Sequence, residues 1–528
     1  MKNRCSVTVV ILIAVNIFQW ACSSTTVLRQ LAKADEIQID SKKNEYLKVH
    51  MKDGGLFVLS VDQLLFDQDS VTGDGNYFNA RRQLTSPESG RAGTINFAGG
   101  FYRIAFTDIA LIEANTVMGL EGKWIALGLV GAQNVILTVY CIANPKACFG
   151  SCPTFYAWDG EGFRLMAEGF SSSILRAFEK QDIDMLHGAK TYGDDFQLRI
   201  TNEALETHVI RYANLLVFPK ADGERIFATE KGNFFQSKTI VPPSSCSGPE
   251  GDCLTLVSNM DARERFSEAN SKNLAAKEYL EMEFENVPDV PWGLVLGTRQ
   301  TLLTTYLFYQ GLAITGQSNG YLAARIESGD QSLRKRVEKI WDILGGIEIE
   351  LQDNSGKWQK VGKINEMGPI APDVHVVTIP RVESEKLRIR LKMTQGLWRI
   401  DYAALAALTA PVYPVEIRPY LVKSEGRVNE DALTALCDSI EPLITLPGDA
   451  YELHYELPDN AHQYEVFLKT KGYYLEWLRD EWQEEADLKK AFLMYRLPRL
   501  YLKLVAAKFK EAEPTMEETF WNSRYVKN

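Results

Sequence analysis

Between Cys148 and Gly169 the sequence reads Cys-Phe-Gly-Ser-Cys-Pro-Thr-Phe-Tyr-Ala-Trp-Asp-Gly-Glu-Gly-Phe-Arg-Leu-Met-Ala-Glu-Gly, and no other stretch restricts the fold as much. Pro153 bars a helix from running through it. Thr154–Trp158 is rich in aromatics, Asp159-Gly160 is a hairpin signal, and Phe163–Ala167 runs back. Glu161-Gly162 makes the connecting loop longer than two residues. The stretch predicts a β-hairpin behind a tight Cys-Phe-Gly-Ser-Cys loop. The residues before it read as an export segment and a small β unit, and those after it as a larger mixed body.

Lys2 and Arg4 precede an uncharged run, Val7 to Trp20, which leads into Ala21-Cys22-Ser23-Ser24. A basic start, an apolar run and small residues describe a secretory signal. The run is short for a spanning helix, which needs about 20 apolar residues. Its end resembles a bacterial lipoprotein signal, with Gln19 departing from the usual pattern. That resemblance implies a signal peptide over 1–21, lipidation of Cys22, and a membrane tether over 22–45. Ser23 resembles the sorting residue of lipoproteins sent to the outer membrane. An ordinary signal peptide or an uncleaved anchor is the other reading.

Cysteine usage fits export. Besides Cys5 and Cys22 the chain has Cys141, Cys148, Cys152, Cys246, Cys253 and Cys437. Sequence alone does not choose a connectivity. Spacing favours two local bridges, Cys148 with Cys152 and Cys246 with Cys253, and leaves buried free thiols as the alternative. A metal site has no second close cysteine pair and no neighbouring His, so none is expected.

Residues 46–120 alternate and turn like a small β domain. Residues 121–147 form an apolar segment in which 124–142 carry no charge. That run suits either a membrane span or buried strands, with Gln133 and Asn134 at its middle weighing against the span. A central mixed domain occupies 148–330, with an exposed loop at 242–253 and helices expected near 261–278 and 298–315. Over 331–410 a helix at 332–344 stops at Gly345-Gly346, and strict two-residue alternation then predicts a β-sandwich-like module. Over 411–528 a helix around 431–443 and two strands lead into aromatic helices from Gly472. The fold class is β-rich α+β.

The net charge of −11 argues against nucleic acid as a partner. No phosphate-binding loop, dinucleotide fingerprint or zinc-protease helix motif is present, so no cofactor is expected. Gly316-Gln-Ser318-Asn-Gly320 matches the nucleophile-elbow pattern, which needs a strand before the serine. Here a helix precedes it, so Ser318 reads first as part of a cap and turn. As a nucleophile it would call on Asp373 and His375, or on Asp401 and His454. The carboxylate pairs Asp182/Asp184 and Asp194/Asp195 read as solvated surface rather than as a glycosidase pair.

Asn144-Pro-Lys-Ala-Cys148-Phe-Gly-Ser-Cys152-Pro-Thr-Phe-Tyr, and the tail from Phe467-Leu-Lys-Thr-Lys-Gly-Tyr-Tyr to Phe520-Trp-Asn-Ser-Arg-Tyr, resemble a family of large bacterial envelope lipoproteins. The resemblance implies export and lipid anchoring and carries no activity, so no functional residue comes with it. Residues 347–402 resemble galactose-binding-like modules in pattern alone. The sequence leads to a lipid-anchored, non-catalytic envelope protein that binds a protein partner or a glycan, or that scaffolds an envelope assembly. The alternative is an envelope hydrolase using Ser318.

Overall fold

The computed structural model describes residues 25–32, most of 46–119 and most of 152–522. Cys22, residues 124–142, Cys148, Asp194, Ser318, Trp477 and Trp482 lie outside the described residues. The chain forms two compact units, Met1–Ala143 and Asn144–Asn528. No helix among the described residues is long and apolar enough to cross a membrane.

The first unit is one antiparallel sheet, in the spatial order Thr25–Ala32, Ile109–Gly119, Tyr46–Met51, Leu56–Ser60, Ser70–Phe78, Phe101–Ala105 and Thr94–Phe97. Alternation places Leu47, Val49, Phe57 and Leu59 in its core. The Phe57 ring lies 4.6 Å from Tyr77 and 5.0 Å from Tyr102. The expected tether thus contains a strand, because Thr25–Ala32 finds an antiparallel partner in Ile109–Gly119.

In the second unit four sheets are built from strands far apart in sequence. The predicted hairpin is present as Thr154–Trp158 and Phe163–Glu168, with Trp158 opposite Phe163. Asp159 Oδ1 accepts from the Glu161 and Gly162 amides at 2.8 and 2.9 Å and closes the four-residue turn. The hairpin extends through Phe196–Thr201, Ala450–Tyr455 and Leu421–Ser424 into a sheet of six strands. A second sheet centres on Glu206–Lys220 paired with Gln463–Glu476, with Lys180–Met185 on the far edge of the latter. A third contains Trp398–Ala407, Trp292–Gln300, Asp373–Thr378, Arg225–Ala228 and Phe234–Ser237.

The second sheet is the middle layer. Leu215 and Val217 face Phe155, Leu198 and Leu453 of the hairpin sheet. Leu216 and Phe218 face Phe227, Phe234 and Val295 of the third. Burial on both faces explains why Leu215–Phe218 within this strand is continuously apolar rather than alternating. Each fully buried Phe or Leu in these layers contributes roughly 1.5–3 kcal/mol. A fourth sheet joins Ser245–Gly248, Lys277–Glu285, Lys386–Thr394, Ile347–Gln352 and Trp358–Ile364.

Helix Leu303–Thr315 starts after strand Trp292–Gln300, so the predicted helix is shorter at its front. Helix Gln331–Leu344 is capped by Asp330, whose side chain accepts from Leu333 N at 2.9 Å, and stops at Gly345 with φ 66°. Helices Leu488–Arg496, Pro498–Leu504 and Ala506–Asn522 close the described chain.

Several expectations are corrected. Pairing crosses the boundaries expected at 330 and 410, because strands of all three segments share sheets. Residues 261–278 hold no helix; Arg265–Phe266 pairs with Trp398–Ala407, and Asp261 accepts from Arg263 N in a local turn. The 242–253 loop contributes Ser245–Gly248 and Gly251–Asp252 to a sheet edge. Helix Glu430–Cys437 stops before 443, where Leu443–Thr445 is a strand. Tyr473 and Tyr474 lie buried in a strand rather than on a helix, since Gln463–Glu476 is covered on both sides.

Candidate functional site

Three strand ends meet around a polar cavity. Glu168 is the last residue of Phe163–Glu168. Asp182 and Asp184 stand two apart on Lys180–Met185, and Asp373 and His375 two apart on Asp373–Thr378, so each pair shares a face. Two cavities of about 250 Å³ and about 480 Å³ have Glu168, Ser171, Lys180, Met367 and Gly368 in both linings. Asp182, Asp184, Asp373 and His375 line the smaller one. Phe178, Phe308 and Trp341 line the larger.

Local structure holds these groups in place. Phe170 has the unusual φ of 40°, and its N–H donates to Asp182 Oδ2 at 2.9 Å. Glu168 Oε2 accepts from Ile370 N at 2.7 Å. A Cβ at Gly368 would sit 2.0 Å from that oxygen, so only glycine leaves the carboxyl its place. The Cys152 thiol lies beside Glu168 but is directed at the Ser171 carbonyl, 3.5 Å away. On the aromatic side, Arg334 sits 4.7 Å over the Phe178 ring and donates to Ala177 O at 3.2 Å. This clips helix Gln331–Leu344 over the cavity and sets Trp341 at its wall.

The electrostatics are unusual for carboxylates. Burial pushes Glu168 up to about 7, against the Ile370 amide bond that favours its anion. Burial, then the charges of Asp182, Asp373 and Glu168, push Asp184 well above the carboxylate range. Burial also raises Asp373 to about 6, opposed by His375, whose Nδ1 lies 3.1 Å from Asp373 Oδ2. Asp184 Oδ2 and Glu168 Oε1 are buried with no well-directed donor among the described residues. Carboxyls raised in this way hold protons nearer neutral pH than free ones, so the cluster can offer both donors and acceptors.

Asp184 corrects the reading of Asp182/Asp184 as solvated surface: it is only 6 % exposed, because the Asp373–Thr378 strand covers it. Of the two proposed triad pairs, the structure brings Asp373 and His375 together. His454 pairs with Asp195 instead of Asp401, which neighbours Glu264 and Asp261. Ser318 itself lies outside the described residues. Cys246 and Cys253 are buried thiols with sulfurs 3.2 Å apart, while Cys148, the expected partner of Cys152, lies outside the described residues. No group of three or more His, Cys, Asp or Glu among the described residues is arranged to hold a metal ion. The signals for the cluster were Asp373-x-His375 on the inward period of an apolar strand and Glu168 closing a hairpin.

No protein-family model matches the chain, and no curated protein does. Among solved structures, the chain has 8% identity and a TM-score of 0.15 to wild-type BuGH86 in complex with neoagarooctaose, covering 43% of this chain and 33% of that one. It has 8% identity and a TM-score of 0.14 to the GH31 alpha-xylosidase from Xanthomonas citri, covering 83% of this chain and 38% of that one. The chain thus spans between a third and two fifths of the length of these two proteins. Likeness of that degree carries no inference about fold or function.

Proposed function

We propose that this is a lipid-anchored protein of the cell envelope, held at the outer membrane through Cys22, that binds a glycan without transforming it. The observation that carries the glycan reading is the juxtaposition, along connected linings, of Trp341, Phe178 and Phe308 with the carboxyls of Glu168, Asp184 and Asp373. Sugar rings offer C–H faces to aromatic walls and hydroxyls to carboxyl groups, and a pocket that sets an aromatic wall beside fixed carboxyls suits both. The buried, undirected Asp184 Oδ2 supplies an acceptor for a ligand hydroxyl.

Titration calorimetry of the full chain with neutral and amino-sugar oligosaccharides tests this. Binding that Trp341→Ala abolishes is expected; no heat from any oligosaccharide with the unaltered protein overturns it. Anchoring is tested separately. Cys22→Ser is expected to abolish acyl labelling, and persistent labelling sinks the assignment.

One observation favours a second reading, a glycan hydrolase. A carboxyl held near 7 by burial is a competent proton donor at neutral pH. Release of shortened oligosaccharides, lost in Glu168→Gln, would establish it. Loss in Ser318→Ala instead would move the chemistry to that serine.

A further inference from the structure

Residues 488–510 contain Lys489, Lys490, Arg496, Arg499, Lys503, Lys508 and Lys510 and no acidic residue, in a chain whose net charge is −11. They build helices Leu488–Arg496 and Pro498–Leu504 and open the helix that begins at Ala506. Met494, Tyr501 and Leu502 fasten the first two to the body of the unit. Five other apolar residues point outward: Leu488, Phe492, Leu497, Leu500 and Leu504 are 75, 58, 47, 45 and 60 % exposed. Leu488 and Phe492 are four apart, and Leu497, Leu500 and Leu504 are three and four apart, so each helix shows an apolar stripe. Single exposed apolar residues mean little, but four on two consecutive helices, with Leu497 at the junction between them, form a patch.

The cations flank that patch. Lys489, Lys490, Arg496, Arg499 and Lys503 are all exposed. Beside them opens a cleft of about 750 Å³, to which Lys339, Lys363, Lys392, Arg496 and Arg499 contribute cations against Asp342 and Glu348. Lys392 is engaged by Glu348, and Lys277 is spent on the Ile343 carbonyl at the end of helix Gln331–Leu344. Lys339, Lys363, Arg496 and Arg499 carry the charge left for a ligand.

We propose that the 488–504 helices are a second membrane contact, docking on the surface of a bilayer that contains anionic phospholipid. The leucines and Phe492 enter the interfacial layer and the flanking cations, with the cleft, take the phosphates. Charge complementarity selects this occupant. A second copy of the chain in a two-fold interface would oppose the same cations to one another. A free anion would leave the apolar stripe unused. This contact is independent of the glycan cavity, which involves other residues.

The test is co-sedimentation of the chain from residue 22 carrying Cys22→Ser, so that neither the apolar run before it nor an acyl chain contributes, with phosphatidylcholine vesicles and with equal mixtures of phosphatidylcholine and phosphatidylglycerol. Binding to the anionic vesicles alone, weakened by salt and not displaced by inorganic phosphate, is expected. Arg496→Gln with Arg499→Gln should weaken it about 30-fold. Leu500→Ser with Leu504→Ser should weaken it about tenfold. All four side chains are exposed, so the unfolding midpoint should not move; Lys489→Gln with Lys490→Gln is the independent second variant. The proposal is overturned by equal binding to both vesicle types, by no binding, by displacement with phosphate, or by a salt-resistant dimer that Leu500→Ser dissolves.

Discussion

Replacing Glu168 by Gln should make the protein less sensitive to alkali. Glu168 ordinarily titrates at 4.5, and in the folded chain burial holds it at about 7. Between those values the folded state keeps a proton that the unfolded state has released, so stability falls as pH rises through the window. A raised carboxyl therefore costs nothing below about pH 4.5 and its full penalty above about pH 7, here about 3 kcal/mol. Asp373 and Asp401, both raised to about 6 by burial, add penalties of the same sign that saturate earlier. Gln keeps the acceptor for Ile370 N and carries no charge to desolvate. Denaturant unfolding, followed by tryptophan emission at about pH 5 and about pH 8, reads the difference. The unaltered chain should lose about 2.5 kcal/mol more between the two than Glu168→Gln, since a small part of the penalty is already present at about pH 5. Equal losses would mean that Glu168 is hydrated and titrates normally, and the buried cluster would fall with it.

Arg265 tests the energetics of a different buried charge. Its side chain has no exposed surface and donates to Glu278 Oε1 at 2.9 Å, where the acid is 3 % exposed, and to Glu250 Oε2 at 2.9 Å. Arg265→Ala strands Glu278 and should cost about 3–5 kcal/mol, whereas Arg265→Met with Glu278→Leu should restore most of it; both are read from the unfolding midpoint. Cys246 and Cys253 are thiols with sulfurs 3.2 Å apart, near enough for an oxidant to join them; alkylation of the air-oxidised chain, denatured to expose them, should leave both unlabelled until reductant is added. Cys246→Ser should then lower stability by roughly 2–3 kcal/mol, and prompt labelling of both thiols without reductant would argue for free cysteines.

Local chemistry made the hairpin at 154–168 legible, because Pro153, the aromatic run and Asp159-Gly160 all act within a few residues. The same is true of helix Gln331–Leu344, where Asp330 and Gly345 mark both ends. Where the reading failed, the deciding partner was distant in sequence. A helix was expected near 261–278, yet Arg265–Phe266 is drawn into a strand by Trp398–Ala407 and Lys277–Glu285 by Lys386–Thr394. Tyr473 and Tyr474 suit a helix by composition, but the Glu206–Lys220 strand claims them from more than two hundred and fifty residues away. The acidic cavity was illegible for the same reason. Asp182-x-Asp184 looks like solvated surface until Asp373–Thr378 is laid beside it.

Asp184 also decides between two accounts of that cluster. Lys180–Met185 is an edge strand of its sheet, and inward-pointing charge on an edge guards against pairing with a second chain. A guard of that kind needs no cavity opening on it. Asp184 is 6 % exposed, and its Oδ2 has no well-directed donor among the described residues, an arrangement that lowers stability for no structural return. Stability surrendered at a cavity wall is the mark of a group kept for a ligand. Asp184→Asn separates the accounts, since it removes the charge and keeps the shape. If Asp184 serves a ligand, the variant should be more stable than the unaltered chain at about pH 8, keep the oligomeric state of the unaltered chain, and lose oligosaccharide affinity about tenfold. If Asp184 is a guard, the variant should keep its affinity and begin to self-associate as concentration rises, and the glycan cavity would lose its principal acceptor.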